Sequence, residues 1–346
     1  MRSFVNPAKV KPGDGISVIS PSSGLPAIFP LPHELGLKRL ARDFDLTPVE
    51  YPTTRIMGAA PADRAADIHA AFTDERTSAV IATIGGSDQL KVLRHLDIDL
   101  IRAHPKPFFG LSDNTNLINF LWTAGIVSFH GATVMTALGR GGAMHSLTEL
   151  SLRAALFSAG TYELTASTDY RDVDFDWRDP KNLQTEPPMA ASEGWRWHGP
   201  SRKISGVLWG GNLEILFWNL AADRILDNEA YAGCVFYLET SEEMPSALEV
   251  ERMLMCFGER GLLRQFSAIL VGRPKAWSLE RQNSLEEKAA YVAEQEATVL
   301  AAVAEYELDV PVVTGLDIGH TDPVLTLPNG GLVTVDAVEQ RIFVEY

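Results

Sequence analysis

The feature that most constrains this chain is the alternation, through its first half, of short apolar runs with amphipathic segments. The run "GISVIS" (15–20) reads as a buried strand, and Leu37, Leu40, Ala41 and Phe44 then fall at i, i+3, i+4 and i+7 on one helix face. "AVIATIGG" (79–86) reads as a second strand, "DQLKVLRHL" as a helix, "KPFFG" as a third strand and "NTNLINFLWTAG" as another helix. Parallel strands need crossover connections, so this order predicts βαβ units and a parallel sheet covered on both faces.

Between about 165 and 200 both periods vanish, and the stretch is rich in Asp, Pro and aromatics. Its Trp177, Trp195 and Trp197 argue against a merely solvated linker, because disordered segments are poor in aromatics. Periodicity resumes at "KISGVLWGG", "NLEILFWNLA" and the strand "CVFYLE". A helix follows with Val250, Met253, Leu254 and Phe257 on one face, then the strand "SAILVG" and a Glu- and Ala-rich helix over 283–305. The end reads as several short strands with an Asn-Gly turn at Asn329 and Gly330. At about 150 residues per domain, 346 residues make two. The expected organisation is an N-terminal α/β domain over 1–165, a linker and substrate loop over 166–200, and a C-terminal α/β domain with a β-rich end over 201–346.

Forty-five acidic against 30 basic residues leave a net charge of -15 without clustered Lys and Arg, which argues against nucleic-acid binding. The N-terminus lacks the apolar core of a secretion signal, and no run approaches the length of a membrane span. A cytoplasmic protein is expected. Cys234 and Cys256 are too few for a disulfide framework and wrongly spaced for zinc, and the eight histidines form no H-E-x-x-H pattern. The expectation is therefore no metal and no cofactor.

In "GLSDNT" a strand ends at Gly110 and passes directly into a helix, a turn that can present Ser112 as a nucleophile beside free helix N–H groups able to hold an oxyanion. Equally, Ser112 or Asp113 could simply cap that helix. A serine needs a base, and the base an orienting partner. Glu239 ends the apolar strand "GCVFYLET", and His320 stands in "DIGHTDP"; taken singly, each also reads as an ordinary strand-end charge or loop histidine. "TIGGSDQL" supplies Gly86, whose backbone can approach a substrate oxygen, and Ser87 as a competing nucleophile. Its spacing fits neither a dinucleotide nor a P-loop signature.

"SPSSG", "TIGG", "PFFGLSDNTNL", "GVLWGGNL", "FYLET" and "DIGHT", in that order over nearly the full length, resemble the LD-carboxypeptidase family of serine peptidases. The strand end and the "EGWRWHG" loop look more like its microcin C self-immunity branch than like the shorter muropeptide enzymes. The resemblance implies a Ser-His-Glu triad of Ser112, His320 and Glu239, with an oxyanion hole from the N–H groups of Asp113 and Gly86; Ser87 then becomes a substrate-side residue. It also implies an N-terminal domain similar to glutamine amidotransferases, a smaller α/β C-terminal domain, an active-site cleft between them and a homodimer.

In the self-immunity branch the bond cleaved joins a peptide or amino acid to a modified nucleotide. The expected partner is thus a small peptidyl or aminoacyl nucleotide, with Trp195 and Trp197 as candidates for stacking on the base and Asn212 for binding substrate. For the tryptophans a hydrophobic clamp between domains, and for Asn212 a helix cap, are the competing readings. One departure stands out: after Glu239 the sequence runs "TSEEMPS", with Met244 before the proline and no lysine, which is common near this point in that branch, and the acidic Glu242 and Glu243 would repel a phosphate. Cleavage of an L,D bond in murein tetrapeptide is the alternative activity, and a non-catalytic ligand-binding protein the alternative of another class.

Overall fold

The computed structural model describes residues 3–346. The first half contains strands β1 (Gly15–Ile19), β2 (Thr47–Glu50), β3 (Thr77–Ala82), β4 (Phe108–Gly110), β5 (Ser128–His130) and β6 (Thr161–Leu164), with helices α1 (Pro30–Asp43), α2 (Pro61–Thr73), α3 (Ile98–Ala103), α4 (Thr115–Ala124) and α5 (Ser146–Phe157) between them. Short elements follow: β7 (Asp169–Tyr170), α6 (Pro180–Gln184), β8 (Ala190–Ala191) and β9 (Arg196–His198). The second half holds β10 (Lys203–Asn212), α7 (Leu213–Ala221), β11 (Val235–Glu239), α8 (Ala247–Glu259), β12 (Ala268–Gly272), α9 (Leu285–Glu305), β13 (Val312–Leu316), β14 (Leu327–Asn329), β15 (Leu332–Asp336) and β16 (Arg341–Glu345).

Two sheets organise these elements into a mixed α/β fold. The first runs β14-β5-β4-β3-β1-β2, with β1 to β5 parallel. Its order reverses between β1 and β3, and in such open sheets ligands bind where the order reverses, beyond the carboxyl ends of the strands. The loops after β1, β3 and β4 open there. The second sheet runs β6-β16-β15-β10-β11-β12-β13-β9, with β10 to β13 parallel at its centre, so Asn212, Glu239 and the segments after β12 and β13 likewise lie at carboxyl ends. Strands β3, β4, β11, β12 and β13 bury nearly every residue, as strands covered on both faces must.

Three local readings change in the structure. The inward face of α1 carries Arg39 and His33 beside Leu40, while Ala41 is exposed. Arg39 donates to the carbonyl oxygens of Leu138 and Arg140 at 2.6 Å each, and His33 pairs through Nε2 with Glu50 at 2.8 Å while its Nδ1 is buried without a partner. "DQLKVLRHL" forms two 3-10 turns rather than a helix. The buried Gln89 side chain is held at both ends by α4, donating to Asn114 Oδ1 and accepting from the Leu117 N–H, which pins the segment before a helix can propagate. The Asn329-Gly330 turn is present, with Gly330 at φ +89°, yet it joins no hairpin, since β14 belongs to the first sheet and β15 to the second.

The stretch from 166 to 200 is strapped across the molecule. Antiparallel β7 and β8 pair with each other, β9 extends the second sheet on β13, and Asp172, Asp174 and Glu186 pair with Lys288, Lys275 and Arg140 at 2.6, 2.5 and 2.7 Å.

Close approach of backbones fixes β10 against β11. A β-carbon at Gly210 would stand 1.8 Å from the carbonyl oxygen of Tyr237. Gly210→Ala is therefore expected to cost about 3 kcal/mol, read as a lower urea midpoint at unchanged slope.

Candidate active site

Strand β4 stops at Gly110, Leu111 stays extended, and Ser112 takes the left-handed conformation at φ +64° before a 3-10 turn feeds α4. For a residue with a β-carbon this conformation stores about 1–3 kcal/mol, and such strain gathers at functional turns. Neither Ser112 nor Asp113 caps the helix with its side chain. The capping reading therefore falls away for both. The backbone at Gly85 packs on the serine so closely that a β-carbon there would lie 2.7 Å from Ser112 Cβ, and one at Gly86 would strike the Ser22 hydroxyl. Glycine is required at both positions for the loop after β3 to reach the serine.

The Asp113 carboxylate is fully buried. Its Oδ2 accepts from the Ser22 hydroxyl and from the N–H groups of Asp88 and Gln89 at 3.0 and 2.9 Å; its Oδ1 accepts from Asn116 Nδ2 at 2.8 Å. Burial pushes its pKa up, against the pull of these donors. The group thus gathers the loops after β1, β3 and β4 around Ser112.

Across the cleft, Glu239 is buried at the end of β11 and its Oε2 lies 2.6 Å from His320 Nδ1. Gly319 and Gly272 make room for it: a β-carbon at Gly319 would lie 2.8 Å from that oxygen, and one at Gly272 2.7 Å from Glu239 Cβ. On the other side of the ring, His320 Nε2 lies 3.1 Å from Glu242 Oε2. Burial alone would lower the His320 pKa, but the two carboxylates hold it well above its ordinary value. The imidazole lowers Glu242 in turn, to about 2, against the opposing effect of burial.

Neighbouring elements link the two sides. Gly110 neighbours His130 in the β4–β5 register, and His130 Nε2 lies 3.1 Å from the Ile318 carbonyl, two residues before His320. Burial lowers the His130 pKa, so this ring is neutral and donates that hydrogen bond. The Asn212 N–H donates to Thr115 Oγ1 at 3.0 Å, and Asn212 pairs with Glu239 in the β10–β11 register. No hydrogen bond joins Ser112 to His320 among the described residues, and His320 Nε2 is taken up by Glu242.

The remaining predicted residues separate clearly. Asn212 Oδ1 caps α7 through the Ile215 N–H, while its buried Nδ2 has no partner. Ser87 is exposed beside Gly86. Trp195 donates to Asp317 Oδ2 at 3.0 Å and Trp197 lies in β9; both pack half-buried on the main core. Trp177 instead meets Phe29 edge-on, ring centres 5.7 Å apart, on the segment after the loop that carries Ser22. Cys234 is buried and its thiol is pushed up to about 11, which disarms it as a nucleophile. Among the described residues no group of three or more His, Cys, Asp or Glu could hold a metal, and no helix is long and apolar enough to cross a membrane.

A strained serine at a strand-to-helix turn, set opposite a carboxylate-bound histidine, is the equipment of serine peptidases. Comparison with known proteins narrows the class. Residues 16–131 match the LD-carboxypeptidase N-terminal domain and residues 205–335 the LD-carboxypeptidase C-terminal domain, and the chain belongs to that family. It is 25% identical to a "Probable murein peptide carboxypeptidase" of Bacillus subtilis, over 98% of this chain and 94% of that one. It is also 25% identical to the microcin C7 self-immunity protein MccF of Escherichia coli, over 81% and 77%. A structure of MccF in complex with aspartyl sulfamoyl adenosine superposes with a TM-score of 0.85 at 22% identity, covering 99% of this chain and 98% of the other.

Removing the β-carbon from a left-handed residue relieves its strain. Ser112→Gly is expected to raise stability by about 1 kcal/mol in urea melts, whereas Ser112→Ala, which keeps the β-carbon, leaves it within about 0.5 kcal/mol.

Proposed function

We propose that this protein is a serine carboxypeptidase that hydrolyses the amide between an amino acid or short peptide and a modified nucleotide. The observation that carries the reading is the 2.6 Å contact between His320 Nδ1 and Glu239 at the carboxyl end of β11, opposite the left-handed Ser112. Ser112 Oγ attacks the carbonyl carbon and passes its proton to His320 Nε2. Glu239 fixes the tautomer and stabilises the imidazolium, and the N–H groups of Asp113 and Gly86 take the oxyanion. His320 then gives the proton to the leaving nitrogen, and water hydrolyses the acyl-enzyme by the same route.

Asn212 Nδ2, buried without a partner beside Glu239, is placed to donate to substrate, and exposed Ser87 lines the entrance. Trp195 and Trp197 are committed to the second sheet, so the aromatic wall for a base falls to Trp177 with Phe29. The relative crystallised with aspartyl sulfamoyl adenosine supports a nucleotide in this cleft. A second reading, release of D-alanine from murein tetrapeptide, is favoured by the acidic Glu242 and Glu243 where an anionic leaving group would be repelled.

Purified protein would be offered an aminoacyl sulfamoyl adenosine and an L,D muropeptide, with products followed by mass spectrometry. The expected outcome is release of the free amino acid from the first, reduced at least about 10³-fold in Ser112→Ala. Trp177→Ala is expected to raise KM about tenfold with little change in kcat. Release of D-alanine alone would establish the murein reading. Turnover of neither, with binding unaffected by Ser112→Ala, would mark a binding protein.

A further inference from the structure

An imidazole held by carboxylates at both nitrogens donates from both, and so cannot accept a proton from Ser112. The cleft as it stands is therefore latched. Nothing about the latch is accidental in its construction. The Ser241 N–H donates to Glu214 Oε1 at 2.9 Å, the Glu243 N–H donates to Ser241 Oγ at 3.2 Å, and the Met244 N–H donates to the Ser241 carbonyl at 3.2 Å. Met244 itself is left-handed, at φ +55°, with its side chain buried against Ala276 and Tyr291. The backbone of residues 241–244 is fixed, and the Glu242 side chain, 55% exposed, is what remains free to move.

A cation is what would draw this carboxylate from the ring. The charged or titratable groups that interact with it are His320 and Lys275, while Glu239 and His130 act on the ring and Glu214 on Glu239. Lys275, the one lysine among them, gives its ammonium to Asp174 at 2.5 Å. The cation must then arrive with the ligand. In an aminoacyl amide the α-ammonium sits on the carbon adjoining the carbonyl that Ser112 attacks, so it necessarily enters beside His320.

Resting on the reading of Ser112 and His320 as nucleophile and base, we propose that Glu242 is a specificity-determining residue that takes the free ammonium of the substrate's acyl group, and that this pairing releases His320 Nε2 for catalysis. The acidic turn then selects the acyl side of the substrate, and its sign is no obstacle to a nucleotide on the leaving side. Substrates whose acyl amine is blocked, peptidyl nucleotides included, leave the latch shut, which narrows the proposed substrates to the aminoacyl ones.

The proposal is tested in two ways on the full chain. In the first, 15N spectra of the His320 ring are recorded at pH 7 with L-alaninamide and with N-acetyl-L-alaninamide. The free amine should move Nε2 toward its unprotonated position and the acetylated probe should not, while in Glu242→Gln the ring should already be neutral without either. In the second, kcat/KM is compared for an aminoacyl sulfamoyl adenosine and its N-acetyl form. The wild type should prefer the free amine about tenfold or more, Glu242→Gln should abolish the preference, and Glu242→Asp should restore part of it. A His320 ring indifferent to Glu242→Gln and to the free amine would overturn the proposal, as would an amine preference that survives Glu242→Gln. If neither nucleotide substrate turns over while the ring still answers the free amine alone, the nucleotide reading fails and the role of Glu242 stands.

Discussion

The candidate site depends first on one buried carboxylate. Asp113 cannot be hydrated where it lies, and an uncompensated charge at that depth would be prohibitive. Its demand is met by the Ser22 hydroxyl, two backbone N–H groups of the loop after β3, and Asn116. Those donors come from two loops and the first turn of α4, so satisfying the charge also builds the wall around Ser112. The network continues inward. Asn116 accepts from Asn219, Asn119 donates to Asn219, and Trp209 donates to Asn119, which carries the register of α4 across to α7 and β10 in the second half. A chain of amides thus sets the nucleophile's turn against the sheet that holds Glu239.

Opposite charges meet differently on the far wall. Glu239 and Glu242 bracket one imidazole, and the protonated ring is what lets two carboxylates approach it from either side. The first contact orients the histidine and the second occupies it. The first depends on glycine: Gly272 and Gly319 have no β-carbon to displace Glu239, just as Gly85 and Gly86 have none to displace the loop beside Ser112. Close backbone approach on both walls is the common device of this cleft.

Much of this was legible in the sequence, for reasons that differ by element. Buried strands such as β3, β11 and β12 announce themselves as apolar runs because both their faces are covered. Ser112 and Glu239 were visible because a strand end followed by a small or acidic residue is a local signal. His320 carries no such signal, and only the order of motifs along the chain marked it. Out of reach were the effects that join distant segments: the four donors on Asp113, the guanidinium of Arg39 inside α1's buried face, and Gln89 stopping a helix at two 3-10 turns. Glu242 could be read as a charge, but its contact with Nε2 joins segments 78 residues apart and leaves no local signal. Asn329-Gly330 misled because a local hairpin signal cannot report that its two strands join different sheets.

That last feature bears on how the protein comes into being. Strand β14, at residues 327–329, closes the edge of a sheet whose other members all lie before residue 131, and β6, at 161–164, waits for β16 at 341–345. On a ribosome that delivers the chain from its N-terminus, the first sheet leaves β5 with an unpaired edge until residue 329 is made. The half that carries the serine cannot be finished before the half that carries the histidine. A chain released before residue 327 therefore lacks the closing strand of the first sheet, however much of the serine's own wall has been made.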